Sequence, residues 1–77
     1  MNYDQAKAIA AQQAPELFVD PAYPSLPDLF VVRKTETGFP FSITLSHTIA
    51  DLEPDEKLAV ETELFMSALD MARKMLP

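Results

Sequence analysis

Residues 29–47 read LFVVRKTETGFPFSITLSH: two runs rich in β-branched and aromatic residues, 29–35 and 39–47, around the chain's single glycine, Gly38. This pattern predicts a β-hairpin turning through Thr35-Glu36-Thr37-Gly38. A type I turn with a bulge would hold Gly38 in the left-handed region and set Thr35 opposite Phe39, Val31 opposite Ile43 and Leu29 opposite Leu45. A loop differing by one residue would bring Phe30 and Val32 to that face instead. In the second strand Phe39, Phe41, Ile43 and Leu45 alternate with Ser42, Thr44 and Ser46, so one face is apolar and the other wet. The first strand is apolar on both faces, Leu29 with Val31 and Phe30 with Val32, and needs a cover on each.

C-terminal to the hairpin, residues 54–76 carry the strongest helix pattern. Pro54 suits the first turn, Asp55 and Glu56 are acids at the positive end of the dipole, and Arg73 and Lys74 are bases at the negative end. At 100° per residue Leu58, Val60, Leu64, Phe65, Ala68, Leu69, Met71, Ala72, Met75 and Leu76 sweep roughly half the circumference, with Glu63, Asp70, Arg73 and Lys74 on the remainder. So wide an apolar arc exceeds what one hairpin and a short helix cover. Phe41, Ile43, Leu45, Phe65 and Leu69 are the expected core, since they combine strand alternation with the helix stripe. Met66, Met71 and Met75 are expected to be mostly core, with Met66 the exception because it projects toward the polar side.

N-terminal to the hairpin, residues 3–14 are rich in helix formers, and Tyr3, Ala6, Ile9, Ala10 and Ala14 fall on one arc. Such a helix buries little and depends on close approach to a neighbour. Residues 15–27 hold four of the seven prolines. Pro21, Pro24 and Pro27 stand three apart, the pattern of a stiff extended connector, with a short third strand allowed at 17–19. The fold class expected is α+β: helix, hairpin, then a long C-terminal helix packed on the hairpin, in one domain.

With 77 residues there is room for one core, and no cysteine is present to staple it. His47 is the single histidine. A small domain without disulfides or a metal cluster leans on oligomerisation or packing, so self-association as a homodimer is expected. The start, Met1-Asn2-Tyr3-Asp4, has neither a basic nor an apolar leader pattern, and no apolar run reaches 18 residues; the expected compartment is the cytoplasm, without membrane contact. Net charge is −6, which opposes direct binding to nucleic acid or anionic lipid and favours a basic protein partner.

Catalytic and metal constellations fail on spacing. Asp51, Glu53 and Asp55 alternate like a calcium loop, yet Glu56 stands where that loop needs glycine and Thr62 where it needs a bidentate Glu. Ser46 and His47 point to opposite faces of a strand, so they cannot join Asp51 in a hydrolytic triad. One glycine cannot build a phosphate cradle. No catalytic residue, cofactor or metal is therefore expected, and the chain reads as a non-enzymatic protein–protein interaction module. Its candidate partner-binding residues are Leu64, Met66, Met71 and Met75 on the long helix, with Tyr23 in the connector. The alternative is an acidic inhibitor or decoy, since residues 51–63 hold Asp51, Glu53, Asp55, Glu56, Glu61 and Glu63 against Lys57 alone. Glu53, Asp55, Glu56 and Glu63 would then imitate phosphates toward a basic, nucleic-acid-binding protein; the ordinary role of such acids is to complement a helix start.

Overall fold

A computed structural model describes residues 1–22, 28–45 and 52–76. Its elements run α1 (Tyr3–Gln13), β1 (Phe18–Pro21), β2 (Leu29–Arg33), β3 (Phe41–Thr44) and α2 (Pro54–Met75). The α+β class and the order helix, hairpin, long helix are as expected, and the third strand exists, at 18–21 rather than 17–19. His47, Ser46, Asp51 and Tyr23 lie outside the described residues.

The first helix starts on a reciprocal cap. Asn2 accepts from the Gln5 backbone N–H at 2.8 Å, and the Gln5 side chain accepts from the Asn2 N–H at 2.9 Å. Two donors that the helix cannot itself satisfy are thereby paired. Ala6, Ala10 and Ala14 are buried, with Tyr3 and Ile9 at the margin. Their small side chains let the helix sit close to β1 and α2, which is where it packs.

The sheet is antiparallel with order β1-β2-β3, so β2 is central and the open edges belong to β1 and β3. β1 thus covers one of the two edges that the hairpin alone would leave open. The hairpin register also differs from the bulged-turn expectation. Phe30 faces Ile43, Val32 faces Phe41 and Leu29 faces Thr44. Gly38 N–H donates to the Thr35 carbonyl at 3.1 Å, closing a turn with Glu36 and Thr37 at its tip, and no described residue has positive φ. Gly38 therefore serves close approach rather than a left-handed conformation: a Cβ there would overlap the Thr35 hydroxyl. Phe30 and Val32 take the inner face, and Leu29 and Val31 are only half-buried on the outer one.

On the inner face Val19, Phe30, Val32, Ile43 and Leu45 meet Phe65, Leu69 and Ala72 of α2 and Leu76 at its C-cap. Phe30 and Phe65 make an edge-to-face pair, centroids 5.6 Å apart and planes at 68°, an arrangement favoured by the ring quadrupoles. Of the expected core, Ile43, Leu45, Phe65 and Leu69 are buried, and Phe41 is half-buried against them. Phe39, which alternation placed inside, is 76% exposed. Pro40 follows it and cannot donate to the ladder, so β3 begins at Phe41 and Phe39 belongs to the turn.

Pro54 opens α2 at its first position, acids occupy the first turn, and Arg73 and Lys74 the last. Beside the buried apolar residues, the inward stripe contains one charge, Glu61, 2% exposed. It meets the Met1 ammonium at 2.6 Å, and Asp28 meets the same group at 3.1 Å. Burial alone would lower the pKa of that amine, but hydrogen bonds and charge from Glu61 and Asp28 outweigh it, and the value is raised above 8.0. The N-terminus is thus tied to the middle of α2 by an ion pair taken largely out of water.

Candidate interaction surface

α2 has a side toward the sheet, a side that α1 meets between Met66 and Arg73, and a side toward neither. The α1 side is fixed by polar contacts. Gln13 donates to the Met66 carbonyl at 3.0 Å, Arg73 donates to the Gln13 carbonyl at 3.4 Å, and Arg73 pairs with Glu16 at 2.6 Å. With α1 over β1, and α2 over β2 and β3, the remaining flank of α2 lies beyond the β3 edge.

That flank carries Val60, Leu64, Met71 and Met75 within an arc of about 60° at 100° per residue. Leu64 is 48% exposed, Met71 54% and Met75 65%, while Val60 is half-buried. The expectation that Met71 and Met75 are mostly core is therefore corrected: the apolar arc is wider than the sheet beneath it, and the side turned from α1 is left uncovered. Phe39, in the hairpin turn, is a further exposed apolar side chain, and it lines a small cleft of about 100 Å³ with Lys34, Gly38 and Leu76. Lys34 donates to the Leu76 carbonyl at 2.9 Å and fixes the hairpin turn against this end of α2.

Of the other candidate contact residues, Met66 is 40% exposed but sits on the α1 side, separate from the uncovered flank. Glu53 is the N-cap of α2 without a side-chain cap bond, and Asp55, Glu56 and Glu63 are exposed. Glu56 and Glu63 share the solvent ridge with Asp70 at seven-residue spacing, whereas Asp55 points about 90° away from them. Glu61, counted in the acidic run, is withdrawn into the interior by Met1. The signal for this was its place within the apolar arc, between Phe65 and Ala68 on the wheel. Sequence reasoning also missed Asp28 and the Met1 amine, because a partner 60 positions away leaves no local trace.

No protein-family model, curated protein or solved structure matches this chain. Its chemistry has to be read from the surface itself. Two open clefts lie elsewhere: one of about 450 Å³ beside Met1, Asp28, Lys57 and Glu61, and one of about 330 Å³ between α1 and β1, lined by Tyr3, Lys7, Leu17, Phe18 and Asp20 among others. In the α1–β1 cleft Tyr3 donates to the Val19 carbonyl at 3.1 Å, and its ring lies under the Lys7 ammonium at 5.7 Å. Asp20 is paired with Arg33 across β1 and β2. Among the described residues no cluster of His, Asp or Glu is arranged to hold a metal ion, and no helix is long and apolar enough to cross a membrane.

Proposed function

We propose that the protein is a non-enzymatic interaction module that docks a protein partner on the uncovered flank of α2. The observation carrying this reading is the row Leu64, Met71 and Met75, three large apolar side chains about half exposed or more on one side of a helix whose other side completes a packed core. A contiguous apolar strip of this kind is costly in water and marks contact surfaces. Methionine suits such a surface, since its flexible, polarisable side chain adapts to the shape it meets. Catalysis is not part of the reading because the clustered polar groups are engaged in holding the fold. Glu61 and Asp28 neutralise Met1, Asp20 holds Arg33, Glu16 holds Arg73, and the Tyr3 hydroxyl is bound to a backbone carbonyl.

A photo-crosslinking residue at position 71, in cells that make the protein, tests the proposal against the same residue at Ser42, exposed on the opposite face of the sheet. Defined protein adducts from position 71 and none from position 42 are expected. Equal labelling from both, or none from 71, would overturn the reading. A second reading rests on the ridge Glu56, Glu63 and Asp70, whose spacing lines carboxylates along the solvent side of α2 as a decoy for a basic protein would require. It meets the apolar flank only at Glu63, so substitutions at Glu56 and Asp70 separate the two.

A further inference from the structure

The uncovered flank of α2 has an internal symmetry. Leu64 and Met71 stand equally far on either side of the Ser67–Ala68 peptide, and so do Val60 and Met75. At the midpoint itself the side chains are small. A two-fold axis through that point would run a second α2 antiparallel to the first, seat Leu64 on the second copy's Met71, and seat Val60 on its Met75. The small residues at the crossing allow the backbones to approach closely. Charge fits the same operation. Glu63 and Lys74 lie about 20° apart on one border of the strip, and both are exposed. Neither has an ion-pair partner among the described residues. The antiparallel arrangement brings each Lys74 to within two residues, about 3 Å along the axis, of the second copy's Glu63.

We infer that the occupant of this flank is a second copy of the chain, paired as an antiparallel α2–α2 dimer about the Ser67–Ala68 step. The inference rests on the docking role proposed above and specifies its partner. An arbitrary apolar strip would match some surface of another protein, but it has no reason to be palindromic or to place opposite charges where a dyad superposes them. Contact along Val60–Met75 extends about 22 Å, shorter than a standard interface requires, so the dimer is weak and in exchange with monomer at micromolar concentration.

Sedimentation equilibrium of the purified chain from low micromolar to submillimolar concentration is the test, with circular dichroism confirming that each variant is folded. Wild type should show reversible monomer–dimer behaviour. Met71→Glu, which a two-fold interface carries twice, should raise the dissociation constant at least about a hundredfold. Glu63→Lys and Lys74→Glu should each raise it about tenfold, and the double charge swap should return it to within about threefold of wild type. The chain has no cysteine, so Ser67→Cys should form an intermolecular disulfide on mild oxidation while Met66→Cys, on the α1 side, should not. A monomer throughout the range, or a dimer unaffected by Met71→Glu, would overturn the inference. If the purified chain is monomeric while position 71 still crosslinks to a different protein in cells, the docking surface stands and the second copy is excluded as its occupant.

Discussion

Acetylating the Met1 amine removes the cation that faces Glu61 and leaves a carboxylate that is 2% exposed without its partner at 2.6 Å. Breaking a buried pair from one side costs about 3–5 kcal/mol, because the remaining charge keeps its desolvation penalty. A domain of 77 residues has a total stability of about 4–12 kcal/mol, so the loss is a large part of the whole. At about 4–8 °C per kcal/mol for this size, the thermal midpoint should fall by at least about 12 °C. The cost is not intrinsic to acetylation. In a Glu61→Gln background the buried charge is already gone, and the added effect of acetylation should shrink by about 1–3 kcal/mol. The pH dependence has a definite sign. The amine's pKa is raised on folding from 8.0, so its contribution is complete below pH 8 and is lost as pH rises through the folded value. Free-amine protein should therefore weaken as pH rises above 8 through the amine's raised pKa, and acetylated protein should not show that loss. Chemical synthesis of the chain with a free or acetylated terminus, followed by denaturation monitored by circular dichroism, measures both effects. Equal midpoints at pH 7, or parallel losses above pH 8, would refute the buried ion pair.

Phe65→Ala removes a fully buried ring and its edge contact with Phe30, and should cost about 3–5 kcal/mol, enough to unfold the chain or nearly so; a loss below about 1 kcal/mol in urea titration would place Phe65 outside the core. Replacing Glu53, Glu56 and Glu63 with Gln should change stability by under about 1 kcal/mol, since all three are exposed. If the protein crosslinked in cells associates with this variant at an unchanged rate and with an unchanged salt slope, the decoy reading is eliminated; a loss confined to low salt that persists when Glu63 is left intact would raise it above docking through the apolar flank.

The ends of α2 were legible because each carries its own chemistry: Pro54 with two acids at one end, Arg73 and Lys74 at the other. The hairpin was equally legible from the turn residues before Gly38. Its register was not, because Leu29, Phe30, Val31 and Val32 are all apolar and alternation cannot choose between the two pairs. The choice is made by tertiary contact, where Phe30 meets Phe65 and Val32 meets the β1–α2 interior. The same limit applied to α2. An arc of roughly 180° announces more apolar surface than a small sheet can bury, but it does not say which border stays bare. That border is decided by the side on which α1 lands, and the Gln13 and Arg73 contacts that place α1 are side-chain to backbone bonds with no sequence pattern of their own. The exposed flank was therefore foreseeable in amount and not in position.

The two helices that hold one another come from opposite ends of the described chain, while the sheet is a meander of neighbours in sequence. On a ribosome, β1, β2 and β3 can pair as soon as residue 45 has emerged, yet the alanine face of α1 has only the edge strand β1 to lie against until α2 is complete. Contacts spanning 53 to 60 positions, such as Gln13 to Met66 and Met1 to Glu61, close a loop that is entropically slow to close. Synthesis should thus produce a transient sheet with an open apolar side and a loosely held first helix, and the nascent chain should become resistant to protease abruptly, once residues 54–75 of α2 have emerged, rather than in proportion to its length.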